Sequence, residues 1–219
     1  MVSENLSKIK RELPEDVSLV AVSKTKPMEL IQEAYDMGQR DFGENRPLEL
    51  QEKAKALPKD IRWHMIGHLQ RNKVKDIIGF VHLIHSVDSV ALLETIERRA
   101  ANAGLSVQVL LQVHIAEEAH KFGFTEEALL DFFRDEKEKD YPHVSIVGLM
   151  GMATFTDDEI QLRKEFSNLK ELHVKALEIK RDNSQIFNVI SMGMSGDYSI
   201  AIEEGSNMVR IGSSIFGTR

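Results

Sequence analysis

The sequence of 219 residues contains no cysteine, which excludes disulfide bonds, thiolate zinc sites and a cysteine nucleophile. It also lacks a basic excess, because 28 Lys and Arg stand against 35 Asp and Glu, for a net charge of −7. Non-specific binding to nucleic acid needs a basic stripe, so no nucleic-acid partner is expected. No apolar run is long enough for a bilayer, and residues 1–17 are charged and unlike a signal peptide. We therefore expect a cytoplasmic protein without a membrane partner.

The residues that are present favour a folded chain with a sizeable core. Hydrophobic residues make up 42% of the sequence and charged residues 29%, which argues against disorder. The length suits one large or two small domains, and the sequence shows no linker, repeat or low-complexity tract. We therefore predict a single domain over residues 1–219.

Short β-rich runs alternate regularly with longer amphipathic segments. The predicted strands cover residues 17–23, 41–43, 62–66, 81–86, 106–114, 144–149, 186–191 and 208–211. Most are nearly continuous in Val, Ile and Leu, as expected of parallel strands that are covered on both faces. The second is the weakest, because only Phe42 is apolar in it.

Start and stop signals mark helices between these strands. They are Pro27 in a first turn, Asp88 and Thr125 before apolar-periodic runs, a capping box over residues 156–159, and Gly205 at the end of the last helix. A helix follows each strand except the last, and an extra helix precedes the first. This order predicts an α/β fold of the (β/α)₈ TIM-barrel type. A doubly wound open sheet is the alternative, because strand order cannot be read from sequence.

In such a barrel, functional residues follow the carboxyl ends of the strands. Lys24 follows the apolar first strand, so its stem can pack while its amine faces the mouth. A lysine held this way can lose its proton and attack a carbonyl group to form an imine. A solvated lysine in a turn is the alternative for Lys24, and it is our interpretation of Lys26.

The loops after strands seven and eight have the composition of an anion site. The first contains Met194 and Ser195 between glycines, and the second contains Gly212 and Ser213 directly after Arg210 and Ile211. Small residues let backbone N–H groups approach an anion, and barrels of this type often bind phosphate in these two loops. Ordinary tight turns would have a similar composition.

Other loops offer weaker candidates. Asn45 follows strand two and could donate to a polar ligand, and His68 follows strand three and could line the mouth. His64 and His68 are four residues apart, but the strand-like context argues against a metal site, and none is predicted. Lys121, after strand five, could add positive charge near an anion, although a solvated lysine is the simpler interpretation.

A lysine that faces an anion cradle, with an arginine between them, indicates a phosphorylated aldehyde as the ligand. Pyridoxal 5′-phosphate (PLP) would direct its aldehyde to Lys24, its phosphate to Ser195, Gly212 and Ser213, and its ring nitrogen to Arg210. A class I aldolase for a sugar phosphate would satisfy the same geometry, so the residues alone leave both open.

Several motifs resemble those of the pyridoxal phosphate homeostasis proteins, in order along nearly the whole chain. They lie at residues 21–27, 42–45, 63–73, 192–197 and 209–212. The resemblance implies a barrel similar to the N-terminal domain of alanine racemase, with the cofactor on Lys24. It also implies that Ser195, Gly212 and Ser213 bind the phosphate and that Arg210 faces the pyridine nitrogen. Arg46 departs from the tyrosine that the family often has there, so its side chain is given no role.

The resemblance further implies that the protein buffers PLP or delivers it to acceptor apoenzymes, within vitamin B6 balance, and is not an enzyme. An arginine at the ring nitrogen keeps the pyridine unprotonated and weakens it as an electron sink. Alanine racemases add a second base, a tyrosine from a C-terminal domain, whereas this sequence ends at Arg219. We therefore expect the imine to form and exchange while proton transfer at Cα stays poor.

Three alternatives remain open at this point. The chain could be a PLP-dependent racemase or lyase with a base such as His68 or Tyr198. It could be the imine-forming aldolase, or a barrel that holds no ligand at Lys24.

Overall fold

The computed structural model describes residues 1–117, 122–180 and 186–218. Its eight parallel strands close into a barrel in sequence order, with β8 paired to β1. The strands are β1 Ser18–Val22, β2 Asp41–Glu44, β3 Arg62–Met65, β4 Leu83–Val87, β5 Val107–Val113, β6 Val144–Gly151, β7 Val189–Met194 and β8 Met208–Ile211. The predicted (β/α)₈ barrel is confirmed, and the open sheet is excluded.

Helices surround the barrel and bury their apolar faces against it. They are α1 Val2–Glu12, α2 Met28–Asp36, α3 Pro47–Ala56, α4 Val90–Ala103, α5 Glu126–Arg134, α6 Glu159–Ile179, α7 Tyr198–Glu203 and α8 Ser213–Phe216. The extra helix α1 precedes β1 as predicted. Within the described ranges, no helix has the length and apolarity needed to span a membrane.

Two connections differ from the prediction. The β3–β4 connection holds a 3₁₀ helix, Arg71–Asp76, in place of an α-helix, and β8 is followed by the short helix α8. Gly212 precedes α8, and the helix itself begins with Ser213 and Ser214, so a helix of one turn that starts with these turn-forming residues gives no periodic signal. A second 3₁₀ helix, Lys137–Asp140, lies between α5 and β6.

Two of the predicted helix starts are displaced by one or two residues. Ser89 caps α4 instead of Asp88, and Asp158 caps α6 by accepting hydrogen bonds from the N–H groups of Ile160 and Gln161. A cap must reach the N–H group two or three residues ahead. The cap at Thr125 is confirmed, since its hydroxyl accepts from the N–H of Ala128.

The seventh strand lies three residues later than predicted, over Val189–Met194 instead of residues 186–191. The residues after Ser191, with glycine and serine among them, look like a loop in the sequence. In the structure Ser191 and Met192 are buried strand residues, and Asn207 in the next loop binds the N–H of Ile190. The shift places Ser195 immediately after the strand end.

Gly148 on β6 lies close to the backbone of β7 and yields a stability prediction. A Cβ atom at this position would lie 1.9 Å from the carbonyl oxygen of Val189 on β7. We expect Gly148→Ala to lower the free energy of unfolding by about 3 kcal/mol or more, since neither backbone can move within the closed barrel. Chemical denaturation measures this. Gly79→Ala is the control, because nothing lies within 4 Å of its added Cβ; equal effects of the two would contradict the prediction.

Candidate functional site

Lys24 lies two residues beyond β1, at the carboxyl end of the barrel strands. The strand before it is buried from Leu19 to Val22, and Lys24 itself is half-buried. Its amine makes no hydrogen bond or ion pair with any part of the chain that the structure describes. The amine of Lys24 is therefore not engaged by the described residues, as imine formation would require.

A buried ionic cluster holds the backbone on both sides of Lys24. The amine of Lys53, on α3, donates to the carbonyl oxygen of Ser23 at 2.8 Å, to Glu44 Oε1 at 2.8 Å and to Glu49 Oε1 at 2.7 Å. The Ser23 hydroxyl donates to Glu44 at 2.6 Å. Glu49 also accepts the N–H of the residue after Lys24, Thr25, which has a left-handed φ of 63°. These contacts fix the turn that presents the lysine.

Glu44 makes this cluster sensitive to pH. Burial raises the pKa of Glu44 to about 7, although hydrogen bonds from Lys53 and Ser23 act in the opposite direction. Between pH 5 and 8 the folded protein therefore binds more protons here than the unfolded chain does. The stability that Glu44 contributes is present at pH 5 and is lost as the pH rises through about 7.

We expect Glu44→Gln to remove this loss. From pH 5 to pH 8, the free energy of unfolding of the variant should rise relative to the wild type by about 2 kcal/mol. Denaturant titrations at several pH values measure the difference. Glu94→Gln, at an exposed position on α4, is the control and should keep a constant difference from the wild type. If Glu44→Gln also keeps a constant difference from the wild type, the pH-dependent loss of stability does not come from Glu44.

The two predicted phosphate loops meet beside β1. The N–H of Gly212 donates to the hydroxyl of Ser195 at 3.2 Å, which joins the loop after β8 to the loop after β7. A Cβ atom on Gly212 would lie 3.1 Å from the carbonyl oxygen of Val22, so a larger residue would crowd the strand that leads to Lys24. Ser213 is exposed next to them. In the first loop, the Met194 N–H donates to Asp197 Oδ1.

Arg210 lies inside the barrel, level with Val20 on β1. It is 4% exposed, and its Nη1 donates to the carbonyl oxygen and to the hydroxyl of Ser191, at 2.8 and 2.6 Å. Its Nη2 donates to the carbonyl oxygen of Gly151 at 3.0 Å. Burial lowers the pKa of Arg210 to about 10, and the charge of Asp197 opposes the shift. The guanidinium therefore stays charged at neutral pH.

Asn45 and His68 occupy different positions at the mouth. Asn45 follows β2 directly, and its Oδ1 is buried without a hydrogen-bond partner among the described residues. Such an atom suits a ligand group, since leaving it unpaired is costly. His68 is exposed and bonds to Asp88 at 3.1 Å, and its ring stacks on Phe122 at 4.4 Å. Its contacts therefore lie in the loops after β4 and β5.

Several other candidates are placed by their contacts. Lys26 is not simply solvated, because its amine donates to the carbonyl oxygens of Gly217 and Thr218 at 2.8 and 3.1 Å. The Tyr198 hydroxyl donates to Glu12 on α1 at 2.8 Å. Arg46 is exposed. Lys121 lies outside the described residues.

His64 and His68 do not act together. His64 points into the barrel, and its Nε2 lies 3.0 Å from Asp41 Oδ1. One atom each of Asp41, His64 and His82 lie within 4.8 Å of one another, a spacing that a metal ion could use. The Asp41 carboxylate, however, is already paired with the guanidinium of Arg62.

Sequence reasoning missed the residues that support Lys24 and Arg210 from behind. Lys53 and Glu49 lie four residues apart on α3 and look like an exposed helix pair. His85 and Ser191 are polar residues within buried strands. The one available signal was a histidine in the middle of the apolar run of β4, since a buried polar group needs a partner.

Comparison with known proteins establishes the family. A family model described as alanine racemase, N-terminal domain, matches residues 1–219. A pyridoxal phosphate homeostasis protein of Aquifex aeolicus is 40% identical over 202 residues, which cover 92% of this chain and 86% of that protein. The chain belongs to the pyridoxal phosphate homeostasis family. This confirms the resemblance that the sequence motifs indicated.

Solved structures of related proteins have the same architecture. PipY of Synechococcus elongatus PCC7942, a protein solved with PLP bound, is 34% identical and superposes with a TM-score of 0.88, over 99% of this chain and 100% of that chain. Alanine racemase of Clostridium difficile 630 superposes with a TM-score of 0.79 at 17% identity, over 100% of this chain and 56% of that chain. The homeostasis family thus shares the barrel of the racemase N-terminal domain.

Proposed function

We propose that residues 1–219 act as one PLP-binding domain that holds the cofactor as an imine on Lys24. The observation that carries the proposal is the unengaged, half-buried amine of Lys24 beside the joined loops of Ser195 and Gly212. The structure of PipY with PLP bound and the names of the related proteins support this choice of ligand over a sugar phosphate.

The surrounding residues fit the other groups of PLP. Backbone N–H groups and hydroxyls of Ser195, Gly212 and Ser213 would bind the phosphate, with Met194 at the end of β7 beside them. Arg210 would donate to the pyridine nitrogen. Asn45, whose buried Oδ1 lacks a partner, would contact a polar group of the ring, and His68 would border the mouth.

We propose homeostasis, the buffering or delivery of PLP, rather than catalysis. PLP supplies an aldehyde for imine formation and a ring that can take up electrons. Arg210, charged at neutral pH, would keep the ring nitrogen unprotonated and so weaken that uptake. Neither proposed base is free, since Tyr198 is bonded to Glu12 and His68 to Asp88. A cytoplasmic location and acceptor apoenzymes as partners stay predictions.

Transfer and turnover assays separate homeostasis from catalysis. We expect the loaded protein to restore activity to a PLP-dependent apoenzyme, and to racemise or transaminate a panel of amino acids no faster than free PLP does. Loaded Lys24→Ala provides the control for the contribution of free cofactor. Brisk turnover by the wild type, lost in Lys24→Ala, would show an enzyme and contradict the proposal.

A further inference from the structure

A chain of polar side chains crosses the barrel interior from Arg210 to the opposite rim. Arg210 Nη1 lies 2.6 Å from Ser191 Oγ, which lies 3.0 Å from His85 Nδ1. His85 Nε2 lies 2.9 Å from His64 Nδ1, and His64 Nε2 lies 3.0 Å from Asp41 Oδ1. The four residues beyond Arg210 come from four strands, β7, β4, β3 and β2. The proposed binding of PLP assigns none of them a role.

The number of donors fixes the direction of every hydrogen bond in this chain. Arginine can only donate, so the Ser191 oxygen accepts, and its own proton has His85 Nδ1 as the acceptor within reach. A neutral His85 then carries its proton on Nε2 and donates to His64 Nδ1. His64 in turn donates from Nε2 to Asp41. The reverse direction would leave the Ser191 hydroxyl proton without an acceptor among the residues that the structure describes.

Charge at both ends agrees with this direction. Burial, reinforced by the charge of Arg210, lowers the pKa of His85 well below its usual range, so this ring stays neutral. Burial alone would raise the pKa of Asp41, but hydrogen bonds from Arg62 and His64 outweigh it and hold that pKa well below its usual range. The chain therefore runs from a guanidinium cation to a carboxylate anion.

Three further titratable or charged groups among the described residues lie near this hydrogen-bond chain. The His82 ring lies 5.5 Å from that of His64, and Arg62 pairs with Asp41 at the rim. Asp197 interacts with Arg210 at the other end. Among the described residues, no carboxylate forms a direct ion pair with Arg210, which donates its hydrogen bonds to Ser191 and Gly151.

We propose that Ser191, His85, His64 and Asp41 are positioning residues for Arg210, and that their one-way hydrogen-bond chain fixes the guanidinium against the pyridine nitrogen of the ligand. This inference rests on the proposed binding of PLP. Both N–H groups of Nη1 and one of Nη2 are used inside the barrel, which leaves one Nη2 proton and the Nε proton for the ligand. A guanidinium held this way cannot turn away when the ligand leaves.

The first test needs no ligand. Nitrogen-15 NMR of the histidine side chains reports the tautomer of each ring, and we expect His64 and His85 each to carry a proton on Nε2 and to accept a hydrogen bond at Nδ1. Assignment uses His64→Gln and His85→Gln. A proton on Nδ1 of His85, or a charged His85 at neutral pH, would contradict the proposed hydrogen-bond chain, whatever ligand the protein binds.

The second test uses the protein loaded with PLP that carries nitrogen-15 in its pyridine ring. We expect His85→Leu and Asp41→Asn to move the pyridine resonance and to weaken PLP binding about tenfold, because Arg210 loses its alignment. His173→Leu, a buried histidine on α6, and Arg62→Gln, which removes only the rim ion pair, should change neither.

Unchanged resonances in His85→Leu and Asp41→Asn, or equal changes in Arg62→Gln and Asp41→Asn, would overturn the positioning role. Failure of the proposed function looks different, since borohydride would then trap no PLP on Lys24 of the wild type. The histidine tautomers in the ligand-free protein would still decide whether the hydrogen-bond chain exists.

Discussion

Lys24→Ala is expected to abolish the visible imine band and the borohydride-trapped adduct of the PLP-loaded protein. The amine of Lys24 is the group at the mouth that we assign to imine formation, and the contacts of the phosphate loops do not depend on it. PLP should therefore still bind, with an affinity lower by about 100-fold, or about 2.7 kcal/mol. Absorbance spectra and equilibrium dialysis measure the two effects separately.

Lys26→Ala is a close control for this prediction. Lys26 lies two residues away in the same turn, but its amine is engaged by the carbonyl oxygens of Gly217 and Thr218. We expect this variant to keep both the band and the adduct. If the band survives in Lys24→Ala, or disappears in Lys26→Ala, the assignment of the imine to Lys24 is wrong.

Changes in the phosphate loops should discriminate between PLP and pyridoxal, which lacks the phosphate. Ser195→Ala removes a hydroxyl that joins the two loops, and Gly212→Ala places a Cβ 3.1 Å from the carbonyl oxygen of Val22. We expect each to weaken PLP binding about tenfold to 100-fold, because charge-assisted hydrogen bonds to the phosphate are lost or displaced. Affinity for pyridoxal should change by less than about twofold, since we assign these two loops to the phosphate.

Ser199→Ala serves as the control for the loop variants, because Ser199 is exposed on α7, close in sequence to Ser195. Calorimetric titration of each variant with PLP and with pyridoxal measures both affinities. Equal losses of PLP and pyridoxal affinity in Gly212→Ala would indicate that the loop supports the ring or Lys24 itself. The phosphate would then have to bind elsewhere.

The parts of the site that follow strand ends could be predicted from sequence. Parallel strands in a barrel bring their carboxyl ends to one rim, so locating the ends of β1 and β8 located Lys24 and Gly212. The end of β7 was harder, because Met192 and Gly193 look like a loop although they are buried strand residues. The loop residue Ser195 was found even though its strand was placed three residues early.

The residues behind the mouth could not be predicted, for two physical reasons. In strands covered on both faces, hydrophobicity does not alternate, so nothing in the sequence shows that His85 and His64 point inward toward each other. Their pairing also joins residues 21 positions apart on neighbouring strands. Lys53 has a different difficulty, because a helix lysine four residues after Glu49 is usually a surface pair, whereas this one is 4% exposed.

Peptide mapping by mass spectrometry after borohydride reduction tests the central claim most directly. The wild-type protein, loaded with PLP and reduced, should carry one phosphopyridoxyl group, on the peptide that contains Lys24. Fragmentation should place it on Lys24 and leave Lys26 and Lys53 unmodified. A group on another lysine, or no modified peptide from a protein that has bound PLP, would contradict the account.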